Sequence, residues 1–129
     1  MTRTMLWGLG GYFLASGVFM WVAPQLWYDT VPGVKQTGGF NAHFIADVAL
    51  SFGVSAVAIG VAAQSGDRRL ALFGIAFPAC HAVFHLWIWI AHRGMAADQV
   101  ALVNLMGIQL PGWIGLAAAL KLGNRGAAA

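Results

Sequence analysis

Residues 41–63 read NAHFIADVALSFGVSAVAIGVAA. Apart from Asp47 and His43 near its start, the stretch holds no ionisable side chain. It is far longer than a buried strand of 4–8 residues. It matches the roughly 20 apolar residues that a helix needs to cross a bilayer. Strands of a membrane barrel alternate apolar and polar residues, and this run does not. With no water to satisfy backbone groups in lipid, a helix is the remaining spanning solution.

Three further stretches share this character, at residues 5–23, 70–91 and 100–122. The stretch 5–23 ends at Pro24, and the stretch 41–63 ends at Ser65-Gly66-Asp67. The 129 residues therefore predict one domain, residues 1–129, an all-α integral membrane four-helix bundle. Only 9% of residues are charged against 60% hydrophobic, where a soluble domain carries about 25% charged. Too few charges remain to cover a water-facing surface, so the lipid bilayer is the expected solvent. The net charge of +3 is spread singly over loops and ends and forms no basic patch, which argues against nucleic acid. Cys80 is the sole cysteine, excluding an intrachain disulfide and a cysteine-cluster metal site; it reads as a small core filler. Trp21, two residues before Ala23, spoils a signal-peptidase pattern, so the first segment is expected to be retained as a helix.

The basic residues predict an orientation. Arg3, Arg68, Arg69, Lys121 and Arg125 fall on one side, and only Lys35 and Arg93 on the other. This asymmetry places both termini in the cytoplasm of a bacterial inner membrane. Trp21, Trp27, Tyr28, Trp87 and Trp89 then form an aromatic belt at the opposite face. Gly53, Ala56 and Gly60 in the second span, and Gly8, Gly11 and Ala15 in the first, are expected to let helices approach closely. Pro78 and Pro111 should each free a carbonyl one turn earlier.

Polar residues inside the spans are few. His43 and Asp47 are four apart on the second span, His81 and His85 four apart on the third, and the fourth adds Asn104 and Gln109. At about 1.5 Å per residue, Asp47 and His85 lie roughly 9 Å from the non-cytoplasmic helix ends, and Asn104 roughly 6–8 Å. His43 is shallower, His81 and Gln109 deeper, and His92 interfacial. Asp47 is the sole carboxylate inside any span, and the chain has no Glu. A charged Asp near a helix centre costs about 2.5–3.5 kcal/mol on insertion scales, so it should face the bundle and find a partner there. The connection over residues 25–40 is long, and Trp27, Tyr28, Val31, Val34 and Phe40 make it apolar enough to fold back as a lid over His43 and Asp47. Asn41 is the expected cap of the second helix.

Trp27-Tyr28, Val31-Pro32-Gly33-Val34, Thr37-Gly38-Gly39-Phe40-Asn41-Ala42-His43-Phe44, Asp47 and the later His81-Ala82-Val83-Phe84-His85-Leu86-Trp87 together resemble a family of small bacterial four-helix membrane proteins. In that family a proline more often stands where this chain has Gly39, and an acidic residue often where it has Ile88. The resemblance implies a polar site at the same location and names no chemistry for it.

The leading expectation is a metal site in which His43, Asp47, His81 and His85 ligate Zn, Fe or Cu and Asn104 and Gln109 orient them. Haem b, needing two axial histidines on different helices, ranks behind. Two other readings stand beside this one. Asp47 and the histidines could relay protons, as intramembrane carboxylates and near-neutral imidazoles do, with a homo-oligomer supplying the path. Or the cluster is helix glue in a subunit of a larger membrane complex. No serine or cysteine sits with a histidine in a nucleophilic arrangement.

Overall fold

A computed structural model describes residues 2–123, and Arg125 lies outside them. The helices are α1 (Thr2–Val22), α2 (Pro24–Thr30), α3 (Ala42–Ser65), α4 (Arg68–Ala91), α5 (Gln99–Asn104) and α6 (Leu110–Lys121). A 3-10 turn at Val34–Thr37 follows α2, and a π-helical turn at Leu105–Gln109 joins α5 to α6. The described residues contain no strand. Four helical stretches, of 21, 24, 24 and 23 residues, are long and apolar enough to cross a membrane, the last being Gln99–Lys121. At 1.5 Å per residue each reaches at least the ~30 Å of a hydrocarbon core.

The helix limits follow from local chemistry. The side chain of Asn41 accepts the Phe44 amide at 3.0 Å, so α3 starts one residue later than the apolar run. It continues past Ala63 to Ser65, where Gly66 takes a left-handed conformation (φ 78°) that a Cβ would disfavour. Asp67 then accepts the amides of Arg69 and Leu70, which starts α4 at Arg68. Asp98 accepts the Ala101 amide and starts the fourth span at Gln99. Arg93 donates to Asp98 at 2.6 Å across the same turn.

The helices run alternately up and down in a ring, with α1 against α3, α3 against α4, α4 against α6, and α6 back against α1. One end carries the first and third connections. The other carries Arg3, which donates to Gln64 O, and the Gly66-Asp67 turn. The buried residues of α1 are Leu6, Gly10, Phe13, Gly17 and Met20, a seam of period 3.5. A methyl group at Gly17 would lie 2.8 Å from Ala49 O, and one at Gly10 3.4 Å from Ala56 O. On α3, Gly53, Ala56 and Gly60 do meet α1. On α1 the expected Gly8, Gly11 and Ala15 do not carry the contact. Space beside Gly8 and Gly11 is open and Ala15 is exposed, because they lie off the 3.5-residue seam. Gly74 repeats the device on α4, where a methyl group would sit 2.9 Å from Ile59 N. Leu6, Phe13, Ile59 and Ile75 fill the core so enclosed.

The outer surface of the ring is apolar, with Trp7, Leu14, Val18, Val57, Phe73 and Phe84 all more than half exposed or close to it. Helices apolar all round belong in lipid. Cys80 lies on this outer surface and fills no core position, contrary to expectation.

The first connection packs on the bundle end. Trp27 and Tyr28 of α2 cover Met20, Ile45 and Ala49, while Tyr28 donates to Gly38 O at 2.9 Å and meets Phe40 edge-on. Lys35 pairs with Asp29 at 2.8 Å, which holds the Asp29 carboxyl below its ordinary value.

Two outcomes follow. Gly17→Leu should destabilise the bundle by about 1–3 kcal/mol or more through overpacking, whereas Gly8→Ala should leave stability within about 0.5 kcal/mol, as read by unfolding in detergent. Arg93 first, and the Ala101 amide second, hold the Asp98 carboxyl below its usual 3.8. A lowered carboxylate stabilises above its unfolded value and loses that contribution as pH falls through the folded one. Protection of the Ala101 amide from hydrogen exchange should therefore persist through mildly acidic pH and vanish only below 3.8.

Candidate functional site

The polar residues predicted to gather form three groups. His43 and Asp47 face outward from α3. Their side chains are 89% and 61% exposed, with His43 Nε2 3.6 Å from Asp47 Oδ2. His81 and His85 occupy successive turns of α4, half-buried, their rings 4.5 Å apart between centroids. Asn104 and Gln109 flank the π-helical turn. Among the described residues no three His, Cys, Asp or Glu side chains stand where they could hold one metal ion, so this single chain does not assemble the expected four-ligand set.

The reason is angular. Phe52 on α3 meets His81 edge-on at 5.7 Å and also meets Phe77. Continued five residues along the antiparallel pair, this register sets Asp47 level with His85 and Leu86. Five residues of α-helix, however, turn a side chain by about 140°. With Phe52 directed at α4, Asp47 points away from it. Depth and register agree with expectation, whereas azimuth does not.

His81 is lined by Phe52 and Phe77, and His85 by Phe84. Neither imidazole hydrogen-bonds to another described residue, and neither has a sealed, orphaned nitrogen. The ring nitrogens thus stay reachable from outside the protein. His92 is exposed and lies edge-on to Trp87 at 4.6 Å, as an interfacial residue would.

Gln109 is the best-connected polar side chain. It is only 8% exposed. Its Nε2 donates to Ala82 O at 2.8 Å and to Asn104 Oδ1 at 3.1 Å, and its Oε1 accepts from Trp113 Nε1 at 2.9 Å. Ala82 belongs to the turn between His81 and His85. Gln109 therefore reaches the α4 backbone at this turn, and neither Gln109 nor Asn104 hydrogen-bonds to the rings. Asn104 and Gln109 are five residues apart, and the π-helical turn between them, with Leu110 N bonding Leu105 O, brings them onto one face. Pro111 follows at once. Gly107 O, the carbonyl four residues before it, accepts from Tyr12 OH at 2.7 Å. The freed carbonyl expected at Pro111 thus has a partner on α1, one that neither spacing nor composition signalled.

The first connection does not roof the outward pair. It covers Met20, Ile45 and Ala49, because Trp27 and Tyr28 seek the gap between α1 and α3, and His43 and Asp47 stay open on the far side of α3.

No family model matches this chain, and neither a curated protein nor a solved structure matches it.

Gln109→Leu would leave the Trp113 indole and the Asn104 carbonyl without their partner. It should cost about 1–3 kcal/mol, measured by unfolding in detergent, and should shift Trp113 fluorescence. Tyr12→Phe removes one interhelical bond and should cost about 0.5–1.5 kcal/mol.

Proposed function

We propose that this small multi-pass membrane protein binds a transition-metal ion (Zn, Fe or Cu) through His81 and His85. The observation that supports the reading is the pair of imidazoles on successive turns of α4, 4.5 Å apart and with no hydrogen-bond partner among the described residues. Two histidines at i, i+4 on one helix face form a chelating pair for zinc-like ions. Phe52, Phe77 and Phe84 restrict the rings, and Gln109 fixes the turn that carries them through Ala82 O. The ligand geometry is thereby preorganised, as outer partners do at metal sites.

Two nitrogen ligands leave coordination positions open for water, a substrate or a further donor. Asp47 is level with the pair but turned outward from α3, so it supplies no carboxylate to this site. The histidines share one helix and one side of it, which suits a single ion better than the trans axial pair of haem b. The charge asymmetry of the ends supports a position for this site in the non-cytoplasmic half of a bacterial inner membrane, with both termini inside.

Full-length protein purified in detergent should carry about one metal ion per chain by elemental analysis, and Co(II) substitution should give visible ligand-field bands. Metal content should fall to background in His81→Ala and in His85→Ala and be unchanged in His92→Ala. Absence of stoichiometric metal, or content indifferent to both α4 substitutions, overturns the reading.

A further inference from the structure

The two ends of the bundle are packed unequally. Toward Arg3 and the Gly66-Asp67 turn, Leu6, Ile59, Ala62, Ala71 and Ala119 are fully buried. Toward the other end no residue of α2 or α5 is buried, nor any residue of α4 beyond Ala82. Gln109 ties the π-helical turn to Ala82 O, but among the described residues α5 itself packs closely on that turn alone. The fourth span thus parts from its neighbours at the end nearer His81 and His85.

One segment bridges this end. The first connection leaves α1, lays Trp27 and Tyr28 over α1 and α3, and then brings Gly33 to the fourth span. A methyl group at Gly33 would lie 2.6 Å from Val100 Cγ1 and 3.6 Å from Val100 Cβ. Gly33 also holds a left-handed conformation (φ 93°), so glycine serves both the turn and the close approach. From Val100 the chain returns to Asn41 and α3. Because α3 and the fourth span stand at opposite corners of the ring, residues 33–41 cross its end. The segment is tied to itself, by Asp29 with Lys35 and by Tyr28 with Gly38 O. It meets the fourth span at Val100 by apolar contact, and none of its residues is buried. Segments held so lightly open at low free energy.

The crossing lies on the route to the histidines. From the side, between α3 and α4, the surface is walled by Leu50, Val54, Phe73 and Phe77. A hydrated cation would have to shed water against hydrocarbon there, at high cost. From the end, the half-buried Asn104 and His85 offer polar atoms at matching depth. We propose that the first connection is a strap across the non-cytoplasmic end, and that Gly33 must part from Val100 before a water-borne solute, the metal ion in particular, reaches His81 and His85. The role of the strap in metal entry rests on the reading of these two as ligands; its control of access does not.

The test uses full-length protein carrying His43→Ala, His92→Ala and Cys80→Ser, so that His81 and His85 are the histidines left. Their modification by diethyl pyrocarbonate is timed in detergent. Gly33→Cys with Val100→Cys places two Cβ atoms at disulfide distance. The oxidised variant should be modified about tenfold more slowly than the parent, because its open state is withdrawn, and reduction should restore the rate. Val100→Ala, which loosens the contact without straining Gly33, should be modified faster than the parent. Circular dichroism verifies helix content in each variant. Zinc uptake, timed on the parent and on the oxidised variant, should slow in the same way. Gated modification without zinc binding in either protein supports the strap and overturns the metal reading. Zinc uptake and modification both indifferent to the disulfide overturn the strap and leave the metal reading standing. Failure of the disulfide to form in helical protein also overturns the strap.

Discussion

The constraint on which this bundle turns is the backbone-distance contact of α3 with two neighbours at once. Gly10 and Gly17 bring α1 against Ala49, Gly53 and Ala56, and Gly74 brings α4 against Ala58 and Ile59. In lipid there is little hydrophobic gain from helix association, so close packing at small residues carries most of the attraction. Helices gripped this tightly on two sides cannot rotate. The azimuth of every α3 side chain is therefore set by glycines on other helices, and the third side of α3, with His43 and Asp47, is turned outward.

A second constraint acts on the fourth span. Pro111 cannot donate to the carbonyl one turn back, and Tyr12 from α1 supplies the missing donor at Gly107. The π-helical turn just before the proline inserts the extra residue that lets Asn104 and Gln109 meet. Gln109 then anchors the span to Ala82 O with every polar atom of its amide in use. In a medium that offers no competing water, a saturated amide of this kind fixes a helix turn, here the one bearing His81 and His85.

The two constraints divide the polar residues into an inward and an outward set. Inside, the paired imidazoles sit in an aromatic frame on a turn held from behind. Outside, the His43–Asp47 pair stands above the exposed apolar residues of α3. Both sets occupy the same end of the bundle. The opposite half is packed with Leu6, Ile59, Ile75 and alanines.

Most of the architecture could be read from the amino-acid order because lipid enforces it. Uninterrupted apolar length and the scarcity of charge leave a helix as the spanning solution, and Asn41 and the Gly66-Asp67 turn punctuate it by local hydrogen bonding. The depth of each polar residue follows from a constant rise per residue, and the level shared by Asp47 and His85 emerges from counting alone. Direction around the helix does not. It depends on which small residues a neighbour selects, and the chain offers Gly8 and Gly11 as plausibly as Gly10 and Gly17. Five residues in regular α3 turn Asp47 away from the histidines, while five residues across a π-helical turn bring Asn104 and Gln109 together. The first result is geometry propagated from distant glycines, and the second is a change of helical pitch beside a proline. Sequence alone thus determined what crosses the membrane and how deep each polar group lies; only tertiary packing decided which of those groups face each other.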